Sequence, residues 1–337
     1  MKNFSGKIVF ITGGASGAGL GQAKVFSKAG MKVAIADVRQ EALDAAIGEI
    51  TAYSGAAASD VLAIKVDLTN RDEYTAAADK VEAVFGAPPH LLIQTAGVNS
   101  FGPIEASTFD DFDWVMGVCL DHVVNGLLIF VPRMIKAYAH KEEFHVATTS
   151  SMGAFMHGST CGPYSAAKAA VNNLMYSYAE ALKPYGAGAT VLCPGNINSN
   201  IGNAEANRPA HLKNTGYHVS EGTMKTLRAI HAQGIDPIDL GEILKEGIEN
   251  GRIIVLPDHN PDGRAAMIRS QNEVIEAYTF TAEKRAIFEE ERRKAFAPPP
   301  VDDESGPPPS MWGIPEGGEA FGRARADLDF VDDNKKI

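Results

Sequence analysis

The sequence contains little that would indicate a secreted or metal-binding protein. Among 337 residues there are only three cysteines, Cys119, Cys161 and Cys193, and they form no C-x-x-C pair. A sparse, odd set of cysteines is typical of a reducing compartment, so we expect a cytoplasmic protein. None of the nine histidines has H-E-x-x-H or a similar ligand spacing. We therefore expect no metal site.

Long apolar runs and an excess of positive charge are also missing. No apolar run approaches the roughly 20 residues that a spanning helix needs. The start of the chain, "MKNFSGKIVFITGG", passes directly into a strand-like run and leaves no room for a cleavable signal. The net charge of -11 gives no general attraction to nucleic acid or to anionic membranes. We expect neither as a partner.

Glycine and apolar residues are plentiful, with 33 glycines and 45% hydrophobic residues, as suits a globular α/β protein of one large domain or two small ones. Short apolar runs alternate with longer helical patterns: "KIVFIT", "KVAIAD", "VLAIKVD", "HLLIQTAG", "FHVATTSS", "ATVLCPG" and "RIIVLP". Strands that are apolar throughout belong to a parallel sheet covered on both faces. We predict a Rossmann-like, doubly wound parallel sheet of about seven strands with helices on both faces, formed by residues 1–258.

A long polar insertion follows the sixth predicted strand. It covers residues 201–235 and interrupts the alternation of strand and helix. Long loops beside a rigid scaffold often serve as lids or binding loops. We predict that this insertion is a substrate lid.

The C-terminal part departs from the pattern of the sheet. Residues 259–296 read as a helical extension, in which apolar residues recur at seven-residue spacing as in a docked helix: Met267, Ile268, Val274 and Ile275. Residues 297–337 are rich in Pro, Gly and acidic residues, which is typical of an extended tail. The tail either lies over a neighbouring subunit through Trp312 and Phe321 or is disordered.

A glycine-rich turn follows the first predicted strand and opens a helix. Its sequence is "ITGGASGAG", with the pattern T-G-x-x-x-G-x-G. Glycine permits the sharp turn and lets the backbone approach a pyrophosphate, which then binds amide groups at the positive end of the helix. The order strand, turn, helix strengthens an otherwise weak motif. We assign this turn to a dinucleotide through Thr12, Gly13, Ser16, Gly17 and Gly19.

Acidic residues at two predicted strand ends extend this cofactor site. Asp37 ends the second strand, where a carboxylate accepts hydrogen bonds from the adenosine ribose and repels a 2′-phosphate. This favours NAD over NADP, although Arg39 could accommodate the phosphate. Asp67, followed by Leu68 after the third strand, is placed to meet the adenine amino group.

The stretch "GPYSAAKAA" sets Tyr164 and Lys168 four positions apart, on one face of a helix. A free phenol has a pKa near 10, so a base at neutral pH needs it lowered by about 3 units, or roughly 4 kcal/mol. We expect Lys168 and the positive charge of an oxidised nicotinamide to share that shift. Ser151, at the end of the strand in "TTSS", is placed to bind the same substrate oxygen.

Taken in order, these motifs resemble the short-chain dehydrogenases/reductases over about residues 4–258. The matching features are T-G-x-x-x-G-x-G, an acid after the second strand, A-G after the fourth, Ser, Y-x-x-x-K and a later P-G. More narrowly, the sequence resembles bacterial Cα-dehydrogenases of lignin β-aryl ether catabolism, in stretches that include "FITGGASGAG", "TAGVNSFGPIE", "DDFDW", "FVPRMI" and "NINSNI". Those enzymes use NAD to oxidise the benzylic alcohol of arylglycerol-β-aryl ethers to a ketone.

The resemblance implies roles for individual residues. Tyr164 is the base, Lys168 its activator and a ribose ligand, and Ser151 the positioning hydroxyl. Six further residues contact the cofactor: Ala96, Gly97, Pro194, Gly195, Ile197 and Ser199. The resemblance also implies a homodimer or homotetramer.

Two positions depart from the family pattern. The family's N-N-A-G is replaced by "QTAG", with Gln94 and Thr95, which we expect to matter little because this turn acts largely through its backbone. The family's fourth catalytic residue, an Asn, is replaced by Cys119. The backbone carbonyl that holds a water near the catalytic Lys is kept, while the thiol bonds more weakly than an amide. We expect a slower proton relay, or no effect if the site has repacked around the thiol.

The sequence thus predicts an NAD-dependent secondary alcohol dehydrogenase for an aromatic alcohol. The alternatives are a related enzyme for another bulky alcohol, such as a terpenoid or steroid, and a non-catalytic NAD-binding regulator. Four residues suit an aromatic pocket but can equally be ordinary packing: Phe101, Met152, Phe155 and Met156.

Overall fold

The computed structural model describes residues 1–156, 158–213, 215–217, 219–257, 261–277 and 282–295. Seven parallel strands form one sheet in the order β3-β2-β1-β4-β5-β6-β7. The strands are β1 (Ile8–Thr12), β2 (Lys32–Asp37), β3 (Val61–Lys65), β4 (Leu91–Gln94), β5 (His145–Thr149), β6 (Gly188–Leu192) and β7 (Ile254–Val255). The predicted seven-stranded parallel sheet is confirmed.

Helices connect the strands, because parallel neighbours need crossover segments. They are α1 (Gly17–Lys28), α2 (Gln40–Ser54), α3 (Arg71–Phe85), α4 (Phe109–Met116), α5 (His122–Tyr138), α6 (Gly162–Leu182), α7 (Glu221–His231), α8 (Pro237–Glu249), α9 (Pro261–Glu276) and α10 (Ala282–Ala295). One face of the sheet packs against α3, α5 and α6, and the other against α1, α2 and α8. The strands are apolar throughout because both faces are covered.

The strand order reverses between β1 and β4, since β2 and β3 lie on one side of β1 and β4 to β7 on the other. In doubly wound sheets ligands bind at such a point, in the crevice beyond the carboxyl ends of the strands. The loops after β1 and β4 therefore form the centre of the candidate site.

Helices α4 and α5 are joined by a π-helical turn, Gly117–Asp121. Together they make one helix, Phe109–Tyr138, with an 18-residue window of mean hydropathy 1.8. By length and composition this helix could cross a membrane, although the sequence contains no uninterrupted apolar run of roughly 20 residues. Because 56% of that window is buried inside the protein and α5 packs on the sheet, it fits a core helix. The absence of a membrane partner stays a prediction.

The predicted lid contains short 3-10 turns at Asn200–Asn207 and Ala210–Leu212, followed by α7. A first compact unit, Met1–Gln271, includes the sheet, and a second is Asn272–Ile337. Helices α9 and α10 fall within the predicted helical extension, although Ile268 and Val274 are exposed. The predicted tail, with Trp312 and Phe321, lies outside the described residues. The proposed domain boundaries stay predictions.

Candidate active site

The turn after β1 is built so that only glycine fits at its tightest points. Gly13 has φ +64°, and a Cβ there would lie 2.9 Å from the Cα of Ala96 in the loop after β4. At Gly19, in the first turn of α1, a Cβ would overlap the carbonyl oxygen of Gly13. The two loops and the helix N-terminus therefore meet without side chains between them. This cradle suits a pyrophosphate at the positive end of α1.

A single large cleft of about 840 Å³ crosses the carboxyl edge of the sheet. All but one of the predicted cofactor residues line it: Gly13, Ser16, Gly17, Gly19, Asp37, Asp67, Leu68, Ala96, Gly97, Tyr164, Lys168, Pro194, Gly195, Ile197 and Ser199. Their position along one cleft fits a dinucleotide that extends across the point between β1 and β4 where the strand order reverses. The exception is Thr12, which is fully buried behind the cleft.

Thr12 supports the cofactor loop from behind. Its hydroxyl accepts hydrogen bonds from the backbone amides of Thr95, at 2.8 Å, and Ala96, at 3.2 Å. These bonds fix the loop after β4 against the end of β1. The sequence motif placed Thr12 correctly at the end of β1. The Thr12 side chain does not line the cleft, but it holds the neighbouring loop after β4.

The carboxylate of Asp37 is engaged by Arg39. The guanidinium donates to both oxygens, from Nε at 3.0 Å and from Nη2 at 3.1 Å, and Nη2 also reaches the hydroxyl of Ser16 at 2.8 Å. Asp37 is 7% exposed, so the pair is largely shielded. Bonding to Asp37 keeps the pKa of Arg39 above its usual value despite partial burial. Asp67 accepts two hydrogen bonds from Thr69, which closes the turn after β3.

The two side chains by which "QTAG" differs from the family pattern, Gln94 and Thr95, form several hydrogen bonds. The Gln94 side chain donates to the carbonyls of His122, at 3.2 Å, and Val123, at 3.0 Å, directly after the π turn. The Thr95 hydroxyl donates to Gln22 Oε1 at 2.6 Å and lies 2.9 Å from the Thr149 hydroxyl. These bonds, buried for Gln94 and partly buried for Thr95, hold the end of β4. The expectation that the replacements matter little stays a prediction.

The predicted catalytic side chains converge on the cleft from β5 and α6. Lys168 is 2% exposed, and its ammonium donates to the carbonyl oxygen of Thr149 at 2.9 Å and lies 5.5 Å from the ring centroid of Tyr164. Ser151 follows β5, and its hydroxyl accepts the amide of Gly153 at 3.0 Å. Tyr164, Lys168 and Ser151 all line the cleft. Helical spacing thus correctly predicts the Tyr–Lys arrangement.

The protein's own groups raise the pKa of Tyr164 instead of lowering it. Burial is the main cause, Cys119 adds to it, and Ser151 opposes it. Burial also lowers the pKa of Lys168. The expected lowering was assigned to Lys168 and an oxidised nicotinamide acting together, so for the enzyme with bound cofactor it stays a prediction.

Cys119 lies in the π turn, fully buried, and does not line the cleft. Its thiol donates to the carbonyl oxygen of Val98 at 3.1 Å and accepts the Val98 amide at 3.4 Å. Burial raises the pKa of this thiol, which stays neutral. Cys119 therefore tethers the loop after β4 to the helix, and its effect on the proton relay stays a prediction.

The outer part of the cleft has apolar walls. Phe101, Met152 and Met156 line it, as the sequence suggested, whereas Phe155 packs against the core under α6. The lid contributes a further wall from its 3-10 turns and α7. Sequence reasoning missed Trp114 and Asn99, which also line the cleft. The stretches "DDFDW" and "GVNSFGP" carried the resemblance, but no spacing assigned these two side chains a role.

Among the described residues, no group of three or more His, Cys, Asp or Glu side chains could hold a metal ion. The three cysteines are free thiols. The groups that the cleft presents for chemistry include the hydroxyls of Ser151 and Tyr164, the buried ammonium of Lys168 and the glycine cradle.

Comparison with known proteins places these features in a family context. The family model described as "short chain dehydrogenase" matches residues 7–209. A protein called C alpha-dehydrogenase, from Sphingobium sp. strain SYK-6, is 47% identical over 277 residues, which cover 82% of this chain and 88% of that protein.

Two solved structures show the same likeness. The apo form of LigD from Sphingobium sp. strain SYK-6 aligns with a TM-score of 0.68 and 40% identity, covering 82% of this chain and 100% of that one. A short-chain dehydrogenase/reductase from Burkholderia phymatum, solved in complex with NAD, aligns with a TM-score of 0.75 and 28% identity, covering 83% of this chain and 99% of that one.

Proposed function

Because the chain belongs to the short-chain dehydrogenase family, we propose that it is an NAD-dependent alcohol dehydrogenase that oxidises the benzylic Cα alcohol of arylglycerol-β-aryl ethers to the ketone. The family membership and the likeness to a C alpha-dehydrogenase support this substrate class. The geometric observation that carries the proposal is the cleft itself. It joins the glycine cradle, Ser151, Tyr164 and Lys168 to an outer chamber with aromatic and thioether walls.

NAD fits the cradle because the turn after β1 is free of side chains where the pyrophosphate would approach, and Asp37 stands where the adenosine ribose would lie. Gly13, Gly17 and Gly19 would hold the pyrophosphate, and Pro194, Gly195 and Ile197 would lie along the nicotinamide. When bound, NAD supplies the acceptor for the hydride that leaves Cα and a positive charge beside the phenol.

Tyr164 is placed to remove the proton from the substrate hydroxyl. Burial raises the pKa of its phenol, and the positive charge of an oxidised cofactor would lower it. This arrangement would tie the activation of the base to cofactor binding. Ser151, which opposes the rise in the pKa of Tyr164, is placed to hold the same substrate oxygen.

Lys168 is held by backbone rather than by a carboxylate. Its ammonium donates to the carbonyl oxygen of Thr149, and no carboxylate of the described residues forms a salt bridge with it. The full positive charge therefore acts on the phenolate and on the cofactor ribose. Lys168 would then pass the proton from the base toward solvent through ordered water.

The proposal is tested by incubating the protein with NAD and a panel of alcohols, and measuring NADH formation together with the product. We expect an arylglycerol-β-aryl ether to yield the Cα ketone. A panel in which only terpenoid or steroid alcohols react would overturn the substrate assignment while leaving the dehydrogenase chemistry intact.

We also propose that the enzyme works in the cytoplasm and as a homodimer or homotetramer. Three free thiols support a reducing compartment. Phe109, on α4, is 90% exposed and Leu128, on α5, is 64% exposed, and large exposed apolar side chains on these helices support contact with another copy. Light scattering after gel filtration measures the mass of the assembly, and a monomer at working concentration would contradict the proposal.

A further inference from the structure

Two residues of the cleft have buried polar atoms that nothing in the described protein satisfies. Within the described residues, six buried side-chain atoms have no hydrogen-bond partner, on Tyr74, Gln94, Asn99, His122, Asn172 and His231. Only Asn99 and His231 belong to the residues that line the cleft. Since buried polar groups in folded proteins are nearly always bonded, the cleft is where a ligand would complete the bonding.

Asn99 is the more constrained of the two. It is 5% exposed and follows Val98, whose amide and carbonyl are both bound by the thiol of Cys119. His231 is less buried and ends α7 in the lid. The Asn99 side chain, two residues past Gly97, therefore follows a residue whose amide and carbonyl are both held in place. A group held in this way is pre-organised for a ligand.

The chemistry of the orphan atom limits what it can bind. The unpartnered atom of Asn99 is Oδ1, a carbonyl oxygen that only accepts hydrogen bonds. The ligand must therefore bring a donor. Phe101, Trp114 and Met152 line the same cleft and give it apolar walls, which disfavour a charged donor without a counter-ion. A neutral hydroxyl meets both conditions.

We propose that Asn99 binds a second hydroxyl of the substrate, the one on Cγ of the glycerol side chain, while Ser151 and Tyr164 bind the oxygen on Cα. This inference rests on the proposed function and adds to it a specificity-determining residue. A site built to bond a hydroxyl strongly rejects the analogue that lacks it, because the site's own polar group is then left unpaired.

The test compares two substrates that differ only at Cγ, an arylglycerol-β-aryl ether and the analogue in which the CH₂OH group is CH₃. We expect the intact protein with NAD to prefer the hydroxylated substrate in kcat/KM by at least about tenfold. Asn99→Leu, which keeps the size and removes the polar atoms, should lower kcat/KM for the hydroxylated substrate to the level of the analogue. The readout is the ratio of kcat/KM for the two substrates, which a general loss of activity would not change.

Asn207→Leu is the matched control, because Asn207 lines the same cleft but is exposed to solvent. It should keep the preference. Asn99→Ser, which retains a polar group at this position, should keep part of the preference for the hydroxylated substrate. It replaces the leucine variant in the test if Asn99→Leu fails to fold. Equal oxidation of both substrates by the unmodified protein, or an Asn99→Leu variant that still prefers the hydroxyl, overturns the Asn99 assignment alone. Oxidation of neither substrate overturns the proposed function with it.

Discussion

Arg208, in the predicted lid (residues 201–235), forms an ion pair with Asp111, the third residue of α4, at 2.8 Å, and both side chains are buried, at 0% and 1% exposure. The guanidinium also lies 5.0 Å from the ring of Trp114, which lines the cleft. Asp111 in turn accepts the amides of Thr108 and Tyr217. The pair therefore fastens two parts of the lid to the helix that carries a wall of the cleft.

We predict that Asp111→Ala lowers the free energy of unfolding by about 3–5 kcal/mol, because Arg208 is left as a buried charge without its partner. Urea unfolding measures this. Glu205 pairs with the same guanidinium at 3.3 Å but is partly exposed, so Glu205→Ala should cost less than about 1 kcal/mol. A combined Asp111→Leu and Arg208→Met variant should recover most of the loss. Equal losses for Asp111→Ala and Glu205→Ala would contradict the account.

The same carboxylate predicts how stability depends on pH. Burial raises the pKa of Asp111, but hydrogen bonds from Thr108 and Arg208 outweigh it, and the net pKa lies below its usual value. A carboxyl with a depressed pKa stabilises the fold above its unfolded pKa, about 3.9, and this contribution is lost as the pH falls through the folded value. Thermal unfolding of Asp111→Asn should therefore depend less on pH in acid than that of the unmodified protein. If the unfolding temperatures of the variant and of the unmodified protein fall in parallel with pH, the Asp111 carboxyl does not contribute to the acid dependence of stability.

The cofactor preference follows from Asp37 and Arg39. We predict that kcat/KM for NAD exceeds that for NADP by at least about tenfold, because the Asp37 carboxylate repels a 2′-phosphate and engages the guanidinium that would bind it. Asp37→Ser should narrow the ratio by releasing Arg39 for the phosphate. In the double variant Asp37→Ser with Arg39→Ser, kcat/KM for NADP should fall again, because no guanidinium remains at position 39 to bind the 2′-phosphate. Equal use of both cofactors by the unmodified protein would contradict the prediction.

Tyr164→Phe removes only the phenolic oxygen. It should abolish turnover and leave NADH binding, measured by fluorescence titration, nearly unchanged. Because the protein's own groups raise the pKa of Tyr164, kcat/KM for the alcohol at saturating NAD should fall as the pH falls through the apparent pKa of the base. Substantial activity of the phenylalanine variant, or a profile that stays flat between about pH 6 and 10, would exclude Tyr164 as the base.

We predict that turnover rises with the strength of the hydrogen bonds that the side chain at position 119 makes to Val98. Cys119→Asn, which places a stronger donor and acceptor toward Val98, should raise turnover by at most about tenfold, or roughly 1.4 kcal/mol. Cys119→Ala removes both bonds to Val98 and should lower turnover. Cys193→Ala is the control, since that buried thiol contacts Asn172 instead. If Cys119→Asn leaves turnover unaltered or lowers it, the site has adapted to the thiol.

Those parts of the fold and site that depend on local sequence were predictable. Strands apolar throughout indicate a parallel sheet, the glycines of the turn after β1 have no room for a Cβ, and Tyr164 and Lys168 share a helix face. Contacts between distant residues were not predictable. Arg208 and Asp111 are 97 positions apart, and Gln94 meets the π turn only through the packing of α5 on the sheet.

The pKa of Tyr164 shows a second limit. Sequence spacing shows that a lysine is near the phenol, but it does not show how much water the fold removes. Burial is the largest influence on the pKa of this phenol, and it raises that pKa. The same applies to Asn99, whose significance comes from being buried without a partner at a cleft wall.

The most direct test of the central claim uses an arylglycerol-β-aryl ether carrying deuterium on Cα. The protein is incubated with this substrate and NAD, and mass spectrometry locates the label in the products. The account predicts a Cα ketone without deuterium, NADH that carries one deuterium, and loss of both products in Tyr164→Phe. Turnover that leaves deuterium on Cα, with oxidation at Cγ instead, or no turnover at all with the intact protein, would contradict it.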